Sequence, residues 1–344
     1  MKRTVQNSRL TFGDGSVSVQ SMTNLPVTDV EGTCEQIRRL VSAGCDVVRI
    51  ALPNTQSVAS FRRVREEFPA IPLVADVHFN SDLAVAAMQA GADKVRINPG
   101  NMSEESLERV VRCAKERDVI IRVGVNGGSV GKEEIKRYGG KTQALYGMLE
   151  RYVRFFEERD FFKLVLSVKS SDVAETVEVN RQAAKLGYPM HVGLTEAGPL
   201  RQGIIKNAMA LGALLTQGIG DTVRVSLTAH PVDEVKAALD ILRALHLRGG
   251  VTFVSCPQCG RCTIDLEKVA CRVYEHVKDC PKNIKIAVMG CEVNGPGECA
   301  DADIGIAGAG GNYVFFRQGK KYKVAQGEDA VRQFLEEIDR LIQC

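Results

Sequence analysis

Two apolar rhythms alternate along most of the chain. From Val17 to Thr228, short β-branched runs end in polar residues, give way to amphipathic stretches of helical period, and then recur. The runs are SVSVQSMTN from Ser16, CDVVRIAL from Cys45, IPLVADVHF from Ile71 and DKVRINPG from Asp93. VIIRVGVN from Val119, FKLVLSVKSSD from Phe162, MHVGLTEAG from Met190 and DTVRVSLTA from Asp221 complete the set. Between them, stretches such as EQIRRLVSAG from Glu35 and AVAAMQAG from Ala84 end in glycine, as helix C-caps do. Eight strand–helix units over roughly 230 residues predict an α/β fold of the (β/α)8 TIM-barrel type. A doubly wound open sheet is the competing arrangement, but it needs fewer strands and no polar residue at the end of each.

The pattern fades in LRALHLRGG, Leu242 to Gly250. The glycine pair there predicts a boundary, with a barrel domain over 1–248 and a smaller α/β domain over 249–344. The second domain reads as a helix over IDLEKVACRVYEHVK, a strand IKIAVM, short strands around DIGIAG and YVFFRQGKKYKV, and a closing helix EDAVRQFLEEIDRLI. The acidic first turn of that last helix suits the helix dipole.

Composition narrows the class. At 344 residues, 44% hydrophobic and 25% charged, the chain can bury an ample core and reads as a soluble enzyme. A net charge of +3 is too small to point to nucleic acid or a membrane surface. No apolar stretch is long enough to span a bilayer, and MKRTVQNSRL lacks the apolar centre of a signal peptide. A cytoplasmic location is therefore expected, where thiols stay reduced and eleven cysteines need a role other than disulfides. Cys34, Cys45 and Cys113 lie in apolar patterns and read as small buried hydrophobes. Seven others crowd between Cys256 and Cys299, a metal-site distribution.

In a TIM barrel the functional groups stand where strands end. Here those positions carry Arg49, Asp76, His78, Arg96, Asn98, Arg122, Asn126, Lys169, Glu196, Arg224 and Ser226. Four arginines and a lysine converging on one cavity repel unless an anion compensates them. The guanidinium fork matches phosphate oxygens, so the expected substrate is an anion with more than one phosphate, or a phosphate and a carboxylate. Asp76 and Glu196 are the carboxylates legible near the strand ends. Glu196 is a candidate to hydrogen-bond a substrate hydroxyl or pass a proton, or else to orient an arginine. His78 reads equally as a core histidine or a catalytic one.

Three readings compete for SCPQCGRC at 255–262 and MGCEVNGPGE at 289–298. A structural zinc site commonly uses two C-x-x-C pairs, and only Cys256 with Cys259 forms a clear one. A thioredoxin-like pair belongs to a different strand order. Thiolates on Gly/Pro turns, Cys291 among them, with the carboxylate of Glu298 seven residues later, also fit an iron–sulfur cluster. Two further functional classes remain compatible: a non-redox phosphosugar lyase or isomerase with a zinc staple, and a zinc-bearing RNA-binding protein. The second is disfavoured because basic residues gather at strand ends rather than along an aromatic-rich face.

The nine motifs VQSMTN, ADVHF, RINPGN, GVNGGS, SVKSSD, GLTEAG, GIGDTVRVSL, SCPQCGR and MGCEVNGPGE run collinearly from about Val19 to Glu298. Together they closely resemble the 4-hydroxy-3-methylbut-2-en-1-yl diphosphate synthases, iron–sulfur enzymes of the non-mevalonate isoprenoid pathway. The resemblance implies one 4Fe-4S cluster per subunit, held by Cys256, Cys259, Cys291 and Glu298. It implies that 2-C-methyl-D-erythritol 2,4-cyclodiphosphate is opened reductively to the allylic diphosphate. Arg49, Arg96, Arg122, Asn126, Lys169, Arg224 and Ser226 match positions that hold the diphosphate, and His78 and Glu196 match active-site positions. Flavodoxin or ferredoxin is the implied electron donor. The short form implies a homodimer whose cluster domain caps the partner's barrel. Cys262 and Cys299 depart from the usual pattern beside the cluster motifs, and Cys271 and Cys280 lie on and just after the next helix.

Overall fold

A short hairpin, β1 (Val5–Gln6) and β2 (Thr11–Phe12), precedes eight strands in this computed structural model, which describes residues 2–78, 80–293 and 295–343. Phe79 of ADVHF and Asn294 of MGCEVNGPGE lie outside the described residues. The eight are β3 (Ser18–Met22), β4 (Val47–Ala51), β5 (Leu73–Asp76), β6 (Lys94–Ile97), β7 (Ile120–Asn126), β8 (Leu164–Lys169), β9 (His191–Val192) and β10 (Thr222–Val223). They pair in parallel in the order β8-β7-β6-β5-β4-β3-β10-β9. A parallel bridge between Leu166 and Met190 closes β8 onto β9.

Helices follow every barrel strand. They are α1 (Val30–Ser42), α2 (Gln56–Glu67), α3 (Ser81–Gln89), α4 (Glu104–Arg117) and, both between β7 and β8, α5 (Lys132–Tyr138) and α6 (Lys141–Glu157). Then come α7 (Val173–Ala183), α8 (Leu200–Leu215) and α9 (Pro231–Ala244). The helices start where the sequence supplies caps. The side chain of Asn80 accepts from Asp82 N and Leu83 N at α3, and that of Asp172 accepts from Glu175 N at α7.

A strict division of faces makes this a barrel with a chemical interior. Val48, Ile50, Val95, Ile97, Ile121, Val123, Val125, Leu164, Leu166 and Val168 are all buried in the core shared with the surrounding helices. The alternate residues face the barrel axis, and they include Arg49, Asp76, Lys94, Arg96, Arg122, Ser167 and Lys169. One period-2 pattern therefore builds both an apolar jacket and a polar lumen.

The bottom of the lumen is apolar. Val5, Leu10 and Phe12 from the hairpin form one cluster with Val47, Val74, Ile120 and Val165, the inward residues near the starts of β4, β5, β7 and β8. The hairpin thus plugs the N-terminal end of the barrel. Phe12 is 1% exposed, so Phe12→Ala is expected to cost about 3–5 kcal/mol, as large aromatic deletions in cores do. A shift of the barrel's urea midpoint checks this; an unchanged midpoint would show the plug to be decorative.

The chain divides into two compact units, Met1–Leu245 and His246–Cys344. The second holds β11 (Val251–Ser255), α10 (Leu266–Val277), β12 (Ile284–Met289), α11 (Gly295–Glu298), β13 (Ile304–Ala309), β14 (Asn312–Arg317), β15 (Lys320–Gln326) and α12 (Gly327–Gln343). Its sheet runs β11-β12-β13-β14-β15. The first three strands are parallel and the last two antiparallel. Val273, Ile286, Phe315, Phe334 and Ile338 centre its core, which α10 and α12 cover from one side.

Candidate active site

The upper lumen is organised around one buried carboxylate. Asp76, at the end of β5, lies 3.9 Å from Arg49 Nε, 3.6 Å from Arg96 NH1 and 3.4 Å from His78 Nε2. Burial alone works against its ionisation. Arg49 first, then the hydrogen bond from His78 and the charges of Arg96 and Arg122, hold it well below the usual carboxylate range. Arg96 NH1 meets the His78 ring at 2.6 Å from Nδ1, and that ring is 44% exposed rather than core. Asn126, with its amide turned to suit both neighbours, accepts from Arg96 NH2 and donates to the Val125 carbonyl, each at 3.3 Å. Gly124 makes room beside them, since a Cβ there would sit 3.0 Å from Arg96 Nε.

A second carboxylate, not legible as a site residue, comes from a helix. Glu234 in the first turn of α9 is buried and grips Arg224 through two contacts, Nε to Oε2 at 3.2 Å and NH2 to Oε1 at 3.3 Å. It also accepts from Ser21 Oγ at 3.1 Å and from Leu227 N at 3.0 Å. The sequence pointed to Glu196 as the second carboxylate among the arginines. In the structure Glu196 is exposed, and no ion pair joins it to a described arginine. Its φ of +54° is instead the notable feature, because a non-glycine residue held in the left-handed region stores strain of the kind found at functional positions. The turn bearing it is fixed by Gly193, where a Cβ would lie 2.2 Å from the Arg224 carbonyl oxygen and 3.1 Å from Lys169 Nζ.

Met22, at the end of β3, was also missed. Its sulfur accepts from Arg49 Nε at 3.1 Å and NH2 at 2.9 Å, with Arg224 NH1 at 3.8 Å. A soft thioether between two guanidinium groups orients them without neutralising either.

The remaining cations face one another. Arg122 and Lys169 are buried, and no carboxylate among the described residues lies within ion-pair distance of either. Burial, then Arg49 and Arg96, push Arg122 well below its ordinary value. Burial, then Arg122 and Arg224, do the same to Lys169. Arg49 is pushed down to about 10, chiefly by burial. Each of these shifts marks a free-energy cost of burying like charges together, a cost that negative charge in the lumen would lower. Ser226 is half-buried just beyond β10. Lys94 and His191, fully buried lower in the lumen, escaped notice because each stands at the start of its strand rather than the end.

In the second unit, Cys256 follows β11 and Cys291 follows β12, the neighbouring parallel strand. Gly290 N donates to Cys256 Sγ at 3.3 Å, and the Cys259 carbonyl accepts from Cys262 N at 2.9 Å to form the turn. Cys256 is half-buried, Cys259 exposed and Cys291 buried, while Glu298 is exposed at the end of α11. Among the described residues no three Cys, His, Asp or Glu side chains converge as they would on a single metal ion. A four-iron cluster takes one ligand per iron and so needs donors spread around it rather than focused on a point. Soft thiols on two adjoining strand ends, with a harder carboxylate nearby, fit that group.

The flanking thiols are differently placed. Cys299 is fully buried and packs on Gly305, whose Cβ would lie 2.4 Å from its sulfur. Burial first, then Glu298, pushes it up to about 12. Cys262 Sγ donates to the Ile264 carbonyl at 3.1 Å, and Cys271 is exposed. Cys34, Cys45 and Cys113 are buried within the barrel domain.

Fold and lumen together define a (β/α)8-barrel protein with a cation-lined lumen and an appended thiol-bearing α/β domain. Residues 2–239 match the GcpE TIM-barrel domain and residues 252–340 the GcpE protein C-terminal domain, and the chain belongs to the GcpE family. It is 47% identical over 96% of its length to a 4-hydroxy-3-methylbut-2-en-1-yl diphosphate synthase (flavodoxin) of Caldanaerobacter subterraneus subsp. tengcongensis, covering 94% of that protein. The protein of the same name from Clostridium tetani is 46% identical over 96% of this chain and 95% of its own. Among solved structures, a dihydropteroate synthase of Xanthomonas albilineans in complex with 7,8-dihydropteroate aligns over 71% of this chain and 99% of its own, with a TM-score of 0.52 and 17% identity. A type I 3-dehydroquinate dehydratase of Clostridium difficile aligns with a TM-score of 0.51 and 16% identity over 71% of this chain and 98% of its own. Both likenesses concern the fold. Among the described residues no helix is long and apolar enough to cross a membrane.

Proposed function

We infer that the chain is an oxidoreductase, a 4-hydroxy-3-methylbut-2-en-1-yl diphosphate synthase of isoprenoid precursor biosynthesis. It opens 2-C-methyl-D-erythritol 2,4-cyclodiphosphate, consuming two electrons and two protons and releasing water with the allylic diphosphate. The observation that carries this is the excess of buried cations in the lumen, read beside full-length relatives of that name. A cyclic diphosphate is the kind of anion such a lumen needs.

In this reading residues 1–248 bind substrate. Arg49, Arg96, Arg122, Lys169 and Arg224 hold the diphosphate, with Asn126 and Ser226 completing the contacts. As the ring carbon–oxygen bond breaks, charge gathers on a diphosphate oxygen, and guanidinium groups already fixed by Asp76, Glu234 and Met22 stabilise it without reorganising. His78, resting on Arg96 and Asp76, faces the same mouth and is a candidate proton carrier. Glu196 on its strained turn hydrogen-bonds or protonates a substrate hydroxyl.

Residues 249–344 hold one 4Fe-4S cluster through Cys256, Cys259, Cys291 and Glu298. When bound, the cluster supplies low-potential electrons, which no side chain can. Flavodoxin is the electron donor that the relatives' names support, with ferredoxin the alternative. The family resemblance further supports a homodimer in which one subunit's cluster domain caps the partner's barrel, working in the cytoplasm.

Anaerobic turnover of the cyclodiphosphate with reduced flavodoxin tests the reading. Protein with its full iron and sulfide content that yields no allylic diphosphate contradicts it. Glu196→Gln is expected to cut turnover by about 10²–10⁴-fold while sparing iron content and substrate affinity. Unchanged turnover in that variant removes Glu196 from the chemistry.

A further inference from the structure

Below the arginines the lumen stays polar, where barrels of this type are packed with branched apolar side chains. Lys94 Nζ, both ring nitrogens of His191, both amide atoms of Gln20 and Thr222 Oγ1 are buried and meet no protein hydrogen-bond partner. Arg122 turns Nε and NH1 into the same interior, also without one. All five residues are at most 4% exposed.

The five share one region of the barrel. Thr222 stands in register with His191 on one side and with Ser18, two residues before Gln20, on the other. Lys94 stands in register with Ile120, two residues before Arg122. The Phe12 ring of the plug closes the region from below, its centroid 4.4 Å from Lys94 Nζ. Buried polar atoms are nearly always paired, so the donors among these orphaned groups, set between a plug and an arginine layer, need a partner of their own.

Charge says what kind. With every group in its ordinary ionised form, Arg49, Lys94, Arg96, Arg122, Lys169 and Arg224 bring six positive charges to the lumen, and Asp76 and Glu234 two negative ones. The surplus is four. A cyclic diphosphate has one ionisable oxygen per phosphorus and supplies two, which still leaves the lumen cationic and able to take a further monovalent anion. This count rests on the substrate proposed above, whereas the orphaned donors stand without it.

We propose that the lower lumen is a second anion site, beneath the diphosphate, that holds one small monovalent inorganic anion of the chloride type between Lys94, Arg122, His191, Gln20 and Thr222. Every one of these residues can present a donor: ammonium, guanidinium, a neutral imidazole N–H, an amide NH₂ and a hydroxyl. Among the described carboxylates, Asp93 acts on Lys94, but less strongly than Arg122 and Arg49 do in the opposite sense. The ion would keep Lys94 charged against burial and against Arg122, both of which press it toward its neutral form. It would leave the diphosphate to Arg49, Arg96, Lys169 and Arg224, with Arg122 standing between the two sites.

Bromide is the probe, because it replaces chloride and scatters anomalously. Crystals of the intact chain grown in bromide are expected to show an anomalous peak in contact with Lys94 Nζ, with or without diphosphate present. The peak should vanish in Lys94→Met. Thr222→Val, a near-isosteric change, should weaken it if the methionine variant fails to fold. In solution, chloride should raise the melting temperature of the wild type above that in gluconate at equal ionic strength, and this difference should be lost in the variants. Bromide bound only among the upper arginines, or no bromide with ordered water in the lower layer, overturns the proposal. Loss of cyclodiphosphate turnover with the lower peak intact would count against the substrate assignment and not against this site.

Discussion

Asp76→Asn is expected to destabilise the barrel by about 3–5 kcal/mol at neutral pH, the cost of breaking a buried ion pair from one side. The carboxylate is 7% exposed and faces Arg49, Arg96 and His78. An amide of the same shape leaves Arg49 and Arg96 repelling each other, with Glu234, which is engaged by Arg224, as the remaining carboxylate acting on Arg49. The sign with pH follows from the depressed carboxyl. Unfolded, Asp76 titrates near about 3.9; folded, it titrates well below that. Its stabilisation is therefore complete above about pH 4–5 and is lost as the pH falls through the folded value. Urea unfolding at neutral pH and in acid checks both statements, with the wild-type advantage shrinking in acid. Inorganic diphosphate should restore part of the lost stability to the variant, since it supplies negative charge to the same arginines. Equal midpoints for variant and wild type at neutral pH would remove Asp76 as the organiser of the lumen.

Cys256→Ser is expected to abolish stable cluster incorporation, and with it turnover, while the barrel still binds diphosphate. A hydroxyl is a harder and far less acidic ligand than a thiol, so serine does not substitute for thiolate on iron at neutral pH. Cys262→Ser serves as the control. Cys262 is half-buried and donates to the Ile264 carbonyl, a role a hydroxyl can fill, and it lies outside the proposed ligand set. Iron and sulfide assays on anaerobically purified protein distinguish the two variants. Loss of iron in Cys262→Ser with retention in Cys256→Ser would reverse the assignment of the thiols.

The eight barrel strands were legible because each carries its apolar jacket and its polar lumen on alternate residues, a two-residue period that survives in a single sequence. Their ends were legible for the same reason, so Arg49, Arg96, Arg122 and Lys169 could be placed at the mouth. The regular pairing of β9 and β10 spans only two residues each, less than their sequence runs, because the chain turns away into the site-bearing segments at Gly193 and Arg224. The N-terminal hairpin was not legible. VQNSRLTF has no sustained period, and its strands exist only because Phe12 and Leu10 find the inward valines of the barrel. Glu234 was missed for a different reason. An acid in the first turn of a helix satisfies the helix dipole, and nothing local in PVDEV marks it as aimed inward at Arg224. Met22 was invisible because methionine in a strand reads as core. In the second domain the cysteine turns announced themselves, yet only the parallel pairing of β11 with β12 puts Cys256 beside the turn that carries Cys291.

The hairpin plug has a consequence for traffic through the enzyme. With Phe12 and its neighbours sealing the lower end, the tube is a cul-de-sac, and everything that reaches its cations crosses a single rim. Spent product, still bearing its diphosphate, must back out along the path the next reactant needs. If both occupy the same cations the two exclude each other, and accumulated product is expected to inhibit competitively, which initial rates measured against added product would check.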